Sequence, residues 1–419
     1  MTSTRKQNRM GNHVDVIVVG GGPAGLICAG RAAQRGRRVL LLERSNKPAL
    51  KLGITGKGRC NLTNNCDRDA FLAAVKTNGR FLYSAFSAFS PQDVIRFFEG
   101  LGVPLKTERG GRVFPASDKA GEIVRALVGY ARASGVKIKQ ERATRLLIED
   151  GKIAGVAGQS GQEYRADSVV IATGGLSYPR TGSAGDGYIL AEQAGHTIIP
   201  TRASLVPIVT REKWPAKAMG LSLKNVTLSL RRQGDARPVF EEMGEMLFAH
   251  FGVSGPLVLS ASAHITGEAS DYFLFIDLKP ALTHQQLDAR ILRDFSKQQN
   301  RDFGNSLGGL LPAGLVSPVV LLSGISPTVK VHQVTRQERG RLVDLLKGLT
   351  LRVRELRPVE EAVVTAGGVC VKGVHPGRME SRVVSGLYFA GEVLDLDAYT
   401  GGFNLQIAFC TGWVVGESI

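Results

Sequence analysis

Cysteine is scarce in this 419-residue sequence: there are five, at positions 28, 60, 66, 370 and 410, and no CxxC spacing. A disulfide framework, a zinc ribbon and disulfide-reductase chemistry all need paired or closely spaced cysteines, so these are excluded. Sparse, unpaired cysteines favour a reducing compartment. The basic, polar start of the sequence also lacks the apolar core of a signal peptide, and we expect a cytoplasmic protein.

Long apolar runs are absent as well. The longest, residues 315–325, is about half of the ~20 apolar residues that cross a bilayer, so no membrane span is expected. No Walker or Ser-His-Asp pattern is present, which excludes NTPase and triad-hydrolase functions. The histidines are scattered without metal-ligand spacing, so no metal site is expected.

Aromatic residues are few and positive charge is abundant. The 27 aromatic residues count against extensive stacking on single-stranded bases. The net charge is +16, and residues 14–145 alone hold 23 lysines and arginines against 10 acidic residues. An excess of this size favours an anionic partner, either nucleic acid or a phosphorylated cofactor. The alternative is a solvated, arginine-rich surface.

A glycine-rich turn follows the first apolar strand, residues 14–19. It reads Gly20-x-Gly22-x-x-Gly25 and opens a helix of small residues. In this setting the glycines allow a tight turn, the approach of a pyrophosphate and close packing of helix on strand. Glu43 ends the next strand about 20 residues later, where a carboxylate binds a ribose hydroxyl and disfavours a 2′-phosphate. The pattern predicts a dinucleotide site.

Two later strands end in similar turns. Residues 168–172 run into Thr173-Gly-Gly175, and residues 386–390 run into Gly391-Glu392, before Gly401-Gly402 opens a final helix. In flavoproteins with two dinucleotide-binding folds, such a late turn holds the ribityl and pyrophosphate region, and the next helix points its positive end at the flavin. These elements predict FAD. No second GxGxxG marks a nicotinamide domain, so the reductant, NADPH or NADH, is not determined.

The middle of the chain has a different pattern. Short alternating stretches between residues 205 and 278 predict antiparallel strands, and residues 284–349 have helical periodicity. The sequence therefore predicts one α/β domain interrupted by a β-rich domain that carries a helical subdomain. The predicted segments are a basic tail at 1–13, the FAD-binding domain at 14–205 plus 356–419, the β-rich domain at 206–282 plus 350–355, and the helical subdomain at 283–349.

Five motifs carry a family resemblance that extends from Val14 to the end of the chain. With them the chain resembles the HI-type (aminoacetone oxidase-like, NAD(P)/FAD-dependent) flavoproteins, which include the ribosomal RNA dihydrouridine synthases. The resemblance implies an FAD-binding Rossmann-like domain of the two-dinucleotide-binding type, an inserted β-barrel domain and a helical subdomain. The motifs are GITGKGRCNLTN at 53–64, ATGGLSYP at 172–179, TGSAGDGY at 181–188, HFGVSGP at 250–256 and GGFNLQ at 401–406.

The predicted FAD contacts come from these turns and motifs. The 53–64 loop has a glycine backbone that can lie against a flat ligand, neighbouring cations, and amides for the ring carbonyls and N–H groups. Asp186 is expected near the flavin ring system. The full predicted set is Gly20, Gly22, Pro23, Ala24, Gly25, Glu43, Arg44, Lys51, Gly58, Arg59, Asn61, Leu62, Ala143, Thr173, Gly174, Gly175, Asp186, Gly391, Glu392, Gly402, Phe403, Asn404 and Leu405.

Cys60 is the predicted catalytic residue. Reduction of the 5,6 double bond of uracil needs a hydride at one carbon and a proton at the other. A thiol close to the cations of the 53–64 loop can serve as the acid, and the same cations could also hold it as a thiolate. The alternative is that Cys60 is a small buried residue that fills the loop.

The resemblance implies FAD-dependent reduction of uridine to 5,6-dihydrouridine in large-subunit ribosomal RNA, with NAD(P)H as reductant and the RNA as partner. Some relatives reduce a steroid-type double bond, so a first alternative is an ene-reductase or oxidase that acts on a small molecule and has no salt-sensitive RNA affinity. A second alternative is a non-catalytic, flavin-containing RNA-binding protein, whose flavin nicotinamide nucleotides would not reduce. The sequence does not determine the oligomeric state.

Overall fold

The computed structural model describes residues 13–419, so the predicted basic tail lies outside the described residues except for His13. The strands are β1 (His13–Val19), β2 (Val39–Glu43), β3 (Thr63–Asn64), β4 (Leu105–Glu108), β5 (Arg112–Pro115), β6 (Lys137–Gln140), β7 (Ala143–Glu149), β8 (Lys152–Gly158), β9 (Glu163–Ile171), β10 (Ile198–Ser204), β11 (Ile208–Thr210), β12 (Ser222–Arg232), β13 (Phe240–Ala249), β14 (Gly252–Ser254), β15 (Tyr272–Asp277), β16 (Leu349–Leu356), β17 (Val364–Val369) and β18 (Leu387–Phe389). The helices are α1 (Pro23–Gln34), α2 (Leu50–Ile54), α3 (Arg68–Ala74), α4 (Tyr83–Ala88), α5 (Pro91–Gly100), α6 (Ala120–Ala133), α7 (Asp186–Gln193), α8 (Pro256–Ser262), α9 (His284–Ser296), α10 (Ala313–Ser323), α11 (Arg336–Lys347) and α12 (Phe403–Ser418).

The chain divides into two compact units. The first unit ends at Ser204 and resumes at Val359, against predicted limits of 205 and 356, and the second is Leu205–Pro358. In the first unit the main sheet has the order β6-β2-β1-β9-β8-β7, with β18 also beside β9. Strands β6, β2, β1, β9 and β18 pair in parallel, while β7 and β8 are antiparallel to their neighbours.

The register of the parallel strands brings three turns to one edge of the sheet. Val19 of β1 lies opposite Leu42 of β2 and Ile171 of β9, so the residues that follow each strand are neighbours. Strand β1 is rich in β-branched residues, and its consecutive residues Val16–Val19 are buried on both faces, as expected for a parallel sheet covered by helices. Helices α1 and α12 cover one face and pack so closely that a Cβ at Gly412 would overlap the backbone of Ala24.

The second unit contains a closed barrel and a group of helices. The barrel strands have the order β11-β14-β13-β12-β15-β16. In β16 buried and exposed residues alternate from Leu349 to Arg354, because one face of a barrel strand points to the core. Helices α9, α10 and α11 share one apolar core with these strands. The predicted fold class is confirmed, and the division of this unit at 282/283 and 349/350 stays a prediction.

Two absences hold for residues 13–419. None of the helices there is long and apolar enough to cross a membrane. In this range, no three histidine, cysteine, aspartate or glutamate side chains lie close enough together to hold a metal ion.

Candidate active site

In the turn after β1, protein atoms crowd two of the motif glycines, Gly20 and Gly25, and leave free space beside the third, Gly22. Gly20 has φ +106°, and a Cβ there would lie 2.5 Å from the carbonyl oxygen of Ala172. A Cβ at Gly25 would overlap the carbonyl of Gly20, whereas one at Gly22 would meet no atom within 4 Å. Gly22 is also the N-cap of α1 and supplies no side-chain cap. The open space and the uncapped N–H groups together fit a pyrophosphate.

Glu43 ends β2 beside this turn. Its carboxylate accepts hydrogen bonds from the backbone N–H groups of Gly21 and Ser45, each at 2.7 Å, and the residue is 9% exposed. These two bonds fix the carboxylate at the end of the strand. The position is the one in which an acidic side chain binds a ribose hydroxyl in a dinucleotide fold.

Asp186 lies on the same side of the site as Glu43. Its carboxylate accepts hydrogen bonds from Arg44 at 3.1 Å and from Arg142 at 2.7 and 3.0 Å, and the bonds to Asp186 raise the pKa of the Arg142 guanidinium. The loop before Asp186 folds over the end of β2, where a Cβ at Gly182 would lie 3.6 Å from Glu43 Oε1. The predicted position of Asp186 near the flavin ring system stays a prediction; the structure places its carboxylate between Arg44 and Arg142, beside the end of β2. Arg142 was missed, although its neighbour Ala143 was predicted.

Lys51 and Glu392 meet across 341 residues of sequence. Lys51 Nζ donates to Glu392 Oε2 at 2.7 Å and to Ser177 Oγ at 2.6 Å. The other Glu392 oxygen accepts from Ser177 Oγ at 3.0 Å and from the backbone N–H of Thr365 at 2.9 Å. Both charged side chains are about one-fifth exposed. The sequence analysis predicted both charged residues as FAD contacts. It included Ser177 only as part of the 172–179 motif, and nothing in the sequence pointed to Thr365, an uncharged residue of β17.

A buried hydroxyl without a partner lies in the turn after β9. Thr173 Oγ1 is buried and has no hydrogen-bond partner within the described residues. The Thr173 Cα would be 3.0 Å from a Cβ at Gly20, and its Oγ1 lies at the start of α7, 2.1 Å from where a Cβ at Gly187 would be. Gly175 is confined by the network above, because a Cβ there would lie 2.5 Å from Thr365 Oγ1. An orphaned buried hydroxyl costs free energy, so Thr173 fits a polar ligand at this edge of the sheet.

The start of α12 meets the 53–64 loop. Gly402, the N-cap, has φ +98° and supplies no side-chain cap, and a Cβ there would overlap the backbone of Thr63. In the orientation that satisfies its amide, the Asn61 oxygen accepts from the Gly402 N–H at 3.1 Å. Thr63 Oγ1 donates to Gln406 Oε1 at 2.6 Å. The structure thus brings these two predicted segments together and leaves the first turn of α12 without a side-chain cap.

Other predicted residues are held by the protein itself. Arg59 donates to Glu108 at 2.5 Å and to Asp118 at 2.6 Å, and its guanidinium carbon lies 4.2 Å from the centre of the Phe114 ring. Asn404 Nδ2 donates to the carbonyl of Ala398 at 2.7 Å. A direct contact of Arg59 or Asn404 with a cofactor stays a prediction and would compete with these bonds.

Cys60 is fully buried. It has 0% exposure and a φ of +61°, and burial raises the pKa of its thiol to about 12. The group is therefore a neutral thiol near pH 7, not the thiolate considered above. Its role as proton donor stays a prediction, and it requires the 55–60 turn to open toward the substrate.

Comparison with known proteins identifies the family. The sequence profile described as the HI0933-like protein Rossmann domain matches residues 14–418. The chain belongs to this family. HI0933-like proteins are flavoprotein oxidoreductases with an FAD-binding fold, and the residues described above fit that cofactor.

Several relatives match the HI0933-like chain over nearly its full length. A ribosomal RNA dihydrouridine synthase of Escherichia coli is 32% identical over 97% of this chain and 98% of its own. The 3-dehydro-bile acid delta(4,6)-reductase of Clostridium scindens is 31% identical over 96% and 98%. Among solved structures, the 3-ketosteroid delta1-dehydrogenase of Sterolibacterium denitrificans has the same fold, with a TM-score of 0.50 and 16% identity over 97% of this chain and 99% of that one.

Proposed function

We propose that this HI0933-like chain is an FAD-dependent oxidoreductase that reduces uridine to 5,6-dihydrouridine in large-subunit ribosomal RNA, with NADPH or NADH as reductant. The near-full-length E. coli relative supports the reaction. The observation that carries the choice of RNA is charge: 23 cations against 10 acidic residues in residues 14–145. A large cationic excess suits a polyanionic substrate and is not needed for a small one.

The residues of the first unit divide into two tasks. The glycine turn and the N-terminus of α1 would hold the pyrophosphate of FAD, and Glu43 would bind the ribose. The uncapped start of α12 would place its positive end at the flavin ring, with the 61–64 segment beside it. Bound FAD, once reduced by NADPH or NADH, would supply the hydride for one carbon of the uracil double bond. The proton for the other carbon is assigned to Cys60.

A second candidate function follows from the Clostridium scindens relative. Its identity and coverage are nearly equal to those of the E. coli relative. The same cofactor site would then serve reduction of a carbon–carbon double bond in a small, steroid-like acid. This function needs no RNA affinity, which makes the two candidates separable.

The test in cells is nucleoside mass spectrometry of large-subunit ribosomal RNA. We expect dihydrouridine to be lost from cells that lack the gene and to return when the gene is restored. Restoration with a Gly22→Asp variant, designed below to lose FAD, should not return it. Unchanged dihydrouridine in the deletion strain would overturn the RNA function.

The test with the purified protein compares two substrates and two reductants. The full chain with bound FAD is given large-subunit RNA from the deletion strain or a steroid acid with a conjugated double bond, and NADPH or NADH without oxygen. We expect dihydrouridine to form and the steroid acid to remain. Reduction of the steroid acid alone would favour the second candidate. Flavin that neither nucleotide reduces would indicate a non-catalytic RNA-binding protein.

A further inference from the structure

A basic hairpin lies next to the proposed flavin site. Strands β4 and β5 are joined by Arg109-Gly110-Gly111, and Arg112 begins β5. Both glycines have left-handed backbone, with φ of +77° and +72°. Other residues rarely adopt two consecutive angles of this kind, so the tight tip depends on glycine. Arg109 at the tip is exposed, and the Arg112 side chain is 43% exposed.

One side chain connects the hairpin tip to the start of α12. Asn64 Nδ2 donates to the carbonyl of Gly110 at 2.9 Å and to the carbonyl of Gly401 at 3.1 Å. The backbone N–H of Asn65 donates to the carbonyl of Gly111 at 2.6 Å. The tip is therefore held at a fixed distance from the helix end at which we place the flavin ring.

The surface around this hairpin has more cations than carboxylates. Glu108 and Asp118 are each shared by two or three cations, at 2.5 to 4.0 Å. The four cations Arg59, Lys106, Arg109 and Arg112 exceed these two carboxylates by two positive charges. Partly exposed ion pairs contribute little to stability, so these cations can exchange a carboxylate for a phosphate at low cost. We name this surface the hairpin patch; it consists of Arg59, Lys106, Glu108, Arg109, Arg112 and Asp118.

We propose that the hairpin patch binds the phosphates of the RNA strand that flanks the reduced uracil. This inference rests on the proposed function. A uracil that reaches a flavin must leave its helix, and its neighbouring phosphates then lie within a few nucleotides of the site. Arginine forks bind phosphate oxygens in pairs, and Phe114 holds the Arg59 guanidinium in place. The patch would fix the register of the strand without reading its sequence.

The experiment measures the salt dependence of binding between the full, FAD-loaded chain and protein-free large-subunit RNA from the deletion strain. The test variant is Arg109→Ala with Arg112→Ala. The control is Arg37→Ala with Lys137→Ala, two exposed cations beside the starts of β2 and β6, whereas the proposed site lies where β2 ends. Flavin absorbance of each variant checks that the first unit is intact. Arg109→Gln, which changes one exposed side chain, replaces the double variant if that one does not retain flavin.

The expected result is at least a tenfold weaker affinity for the test variant and a shallower slope of log K against log salt, by roughly 0.7 to 0.9 for each lost phosphate contact. The control should change affinity by less than about twofold and keep the slope. Equal effects in test and control, with tight binding by the wild type, would overturn the patch and leave the RNA function standing. Absence of salt-sensitive binding by the wild type would overturn the RNA function itself.

Discussion

The helix starts at the proposed flavin site differ from those of two helices in the second unit. Helices α1 and α12 begin at Gly22 and Gly402, and neither glycine provides a side-chain cap. Helices α9 and α11 of the second unit begin with complete capping boxes, in which Thr283 and Thr335 each accept a backbone N–H at 3.2 Å. The caps of α9 and α11 satisfy backbone donors within the chain, whereas the starts of α1 and α12 leave them open where a ligand is expected. Helices α8 and α10 of the second unit also begin without a side-chain cap, so a missing cap alone does not mark a ligand site.

We expect the largest effect, on FAD affinity, when the uncapped start of α1 is given a side-chain cap. Gly22 has extended backbone, with φ −77°, and space around its Cα, so Gly22→Asp should fold. Aspartate would cap α1 and stabilise the cofactor-free protein by a few tenths of a kcal/mol. It would also place a negative charge where the pyrophosphate binds, and we expect FAD affinity to fall by about 100-fold, or ~2.7 kcal/mol. Flavin titration and thermal unfolding measure the two opposite effects; unchanged FAD affinity would contradict the proposed site.

Two lysine–carboxylate pairs of similar burial, one in each unit, sharpen the comparison. Lys51→Met leaves Glu392 without its cation, and we expect a loss of about 2 kcal/mol in stability together with weaker flavin binding. Lys347→Met is the matched control, because Lys347 Nζ lies 2.6 Å from Asp277 in the second unit. It should cost a similar free energy and leave flavin content unchanged. Urea unfolding can be followed separately through Trp413 and Trp214. Equal flavin loss in both variants would show that Lys51 acts only through stability.

A substitution at Cys60 tests whether this fully buried thiol donates a proton to the substrate. If it is the proton donor, Cys60→Ala should keep FAD bound and slow turnover at least tenfold, or about 1.4 kcal/mol. Burial raises the pKa of the thiol to about 12 while the 55–60 turn is closed, so the closed state keeps the thiol protonated and its ionisation should produce no step in FAD binding between roughly pH 6 and 9. A step in turnover in that range that Cys60→Ala removes would indicate that the turn opens during the reaction. Cys66→Ala, at a partly buried thiol, is the control. Full activity of Cys60→Ala would remove this residue from the mechanism.

The smallest expected effect comes from the capped helices. Thr283→Ala or Thr335→Ala removes one cap and should destabilise the second unit by about 1 kcal/mol without changing flavin content. Trp214 fluorescence during urea unfolding measures the loss. A change in flavin content in either variant would contradict the prediction that these two caps affect only the stability of the second unit.

The sequence was informative where a signal was local. The glycine turn after β1 and Glu43 at the end of β2 have short, fixed spacings, and the structure places them side by side. Contacts between distant segments had no such signal. The hydrogen bonds of Lys51 and of the Thr365 backbone to Glu392 could therefore not be derived from the sequence. The ion pairs of Asp186 with Arg44 and Arg142 had no sequence signal for the same reason, because they depend on how the preceding loop folds over β2.

The packing of α12 against α1, and of β18 beside β9, has a consequence for biosynthesis. These segments are made after the second unit, so the first unit cannot be completed before α12 has left the ribosome. The second unit is continuous in sequence from Leu205 to Pro358 and has its own apolar core, so it can fold earlier. We therefore expect FAD to be loaded only after α12 has been made, with the barrel already formed.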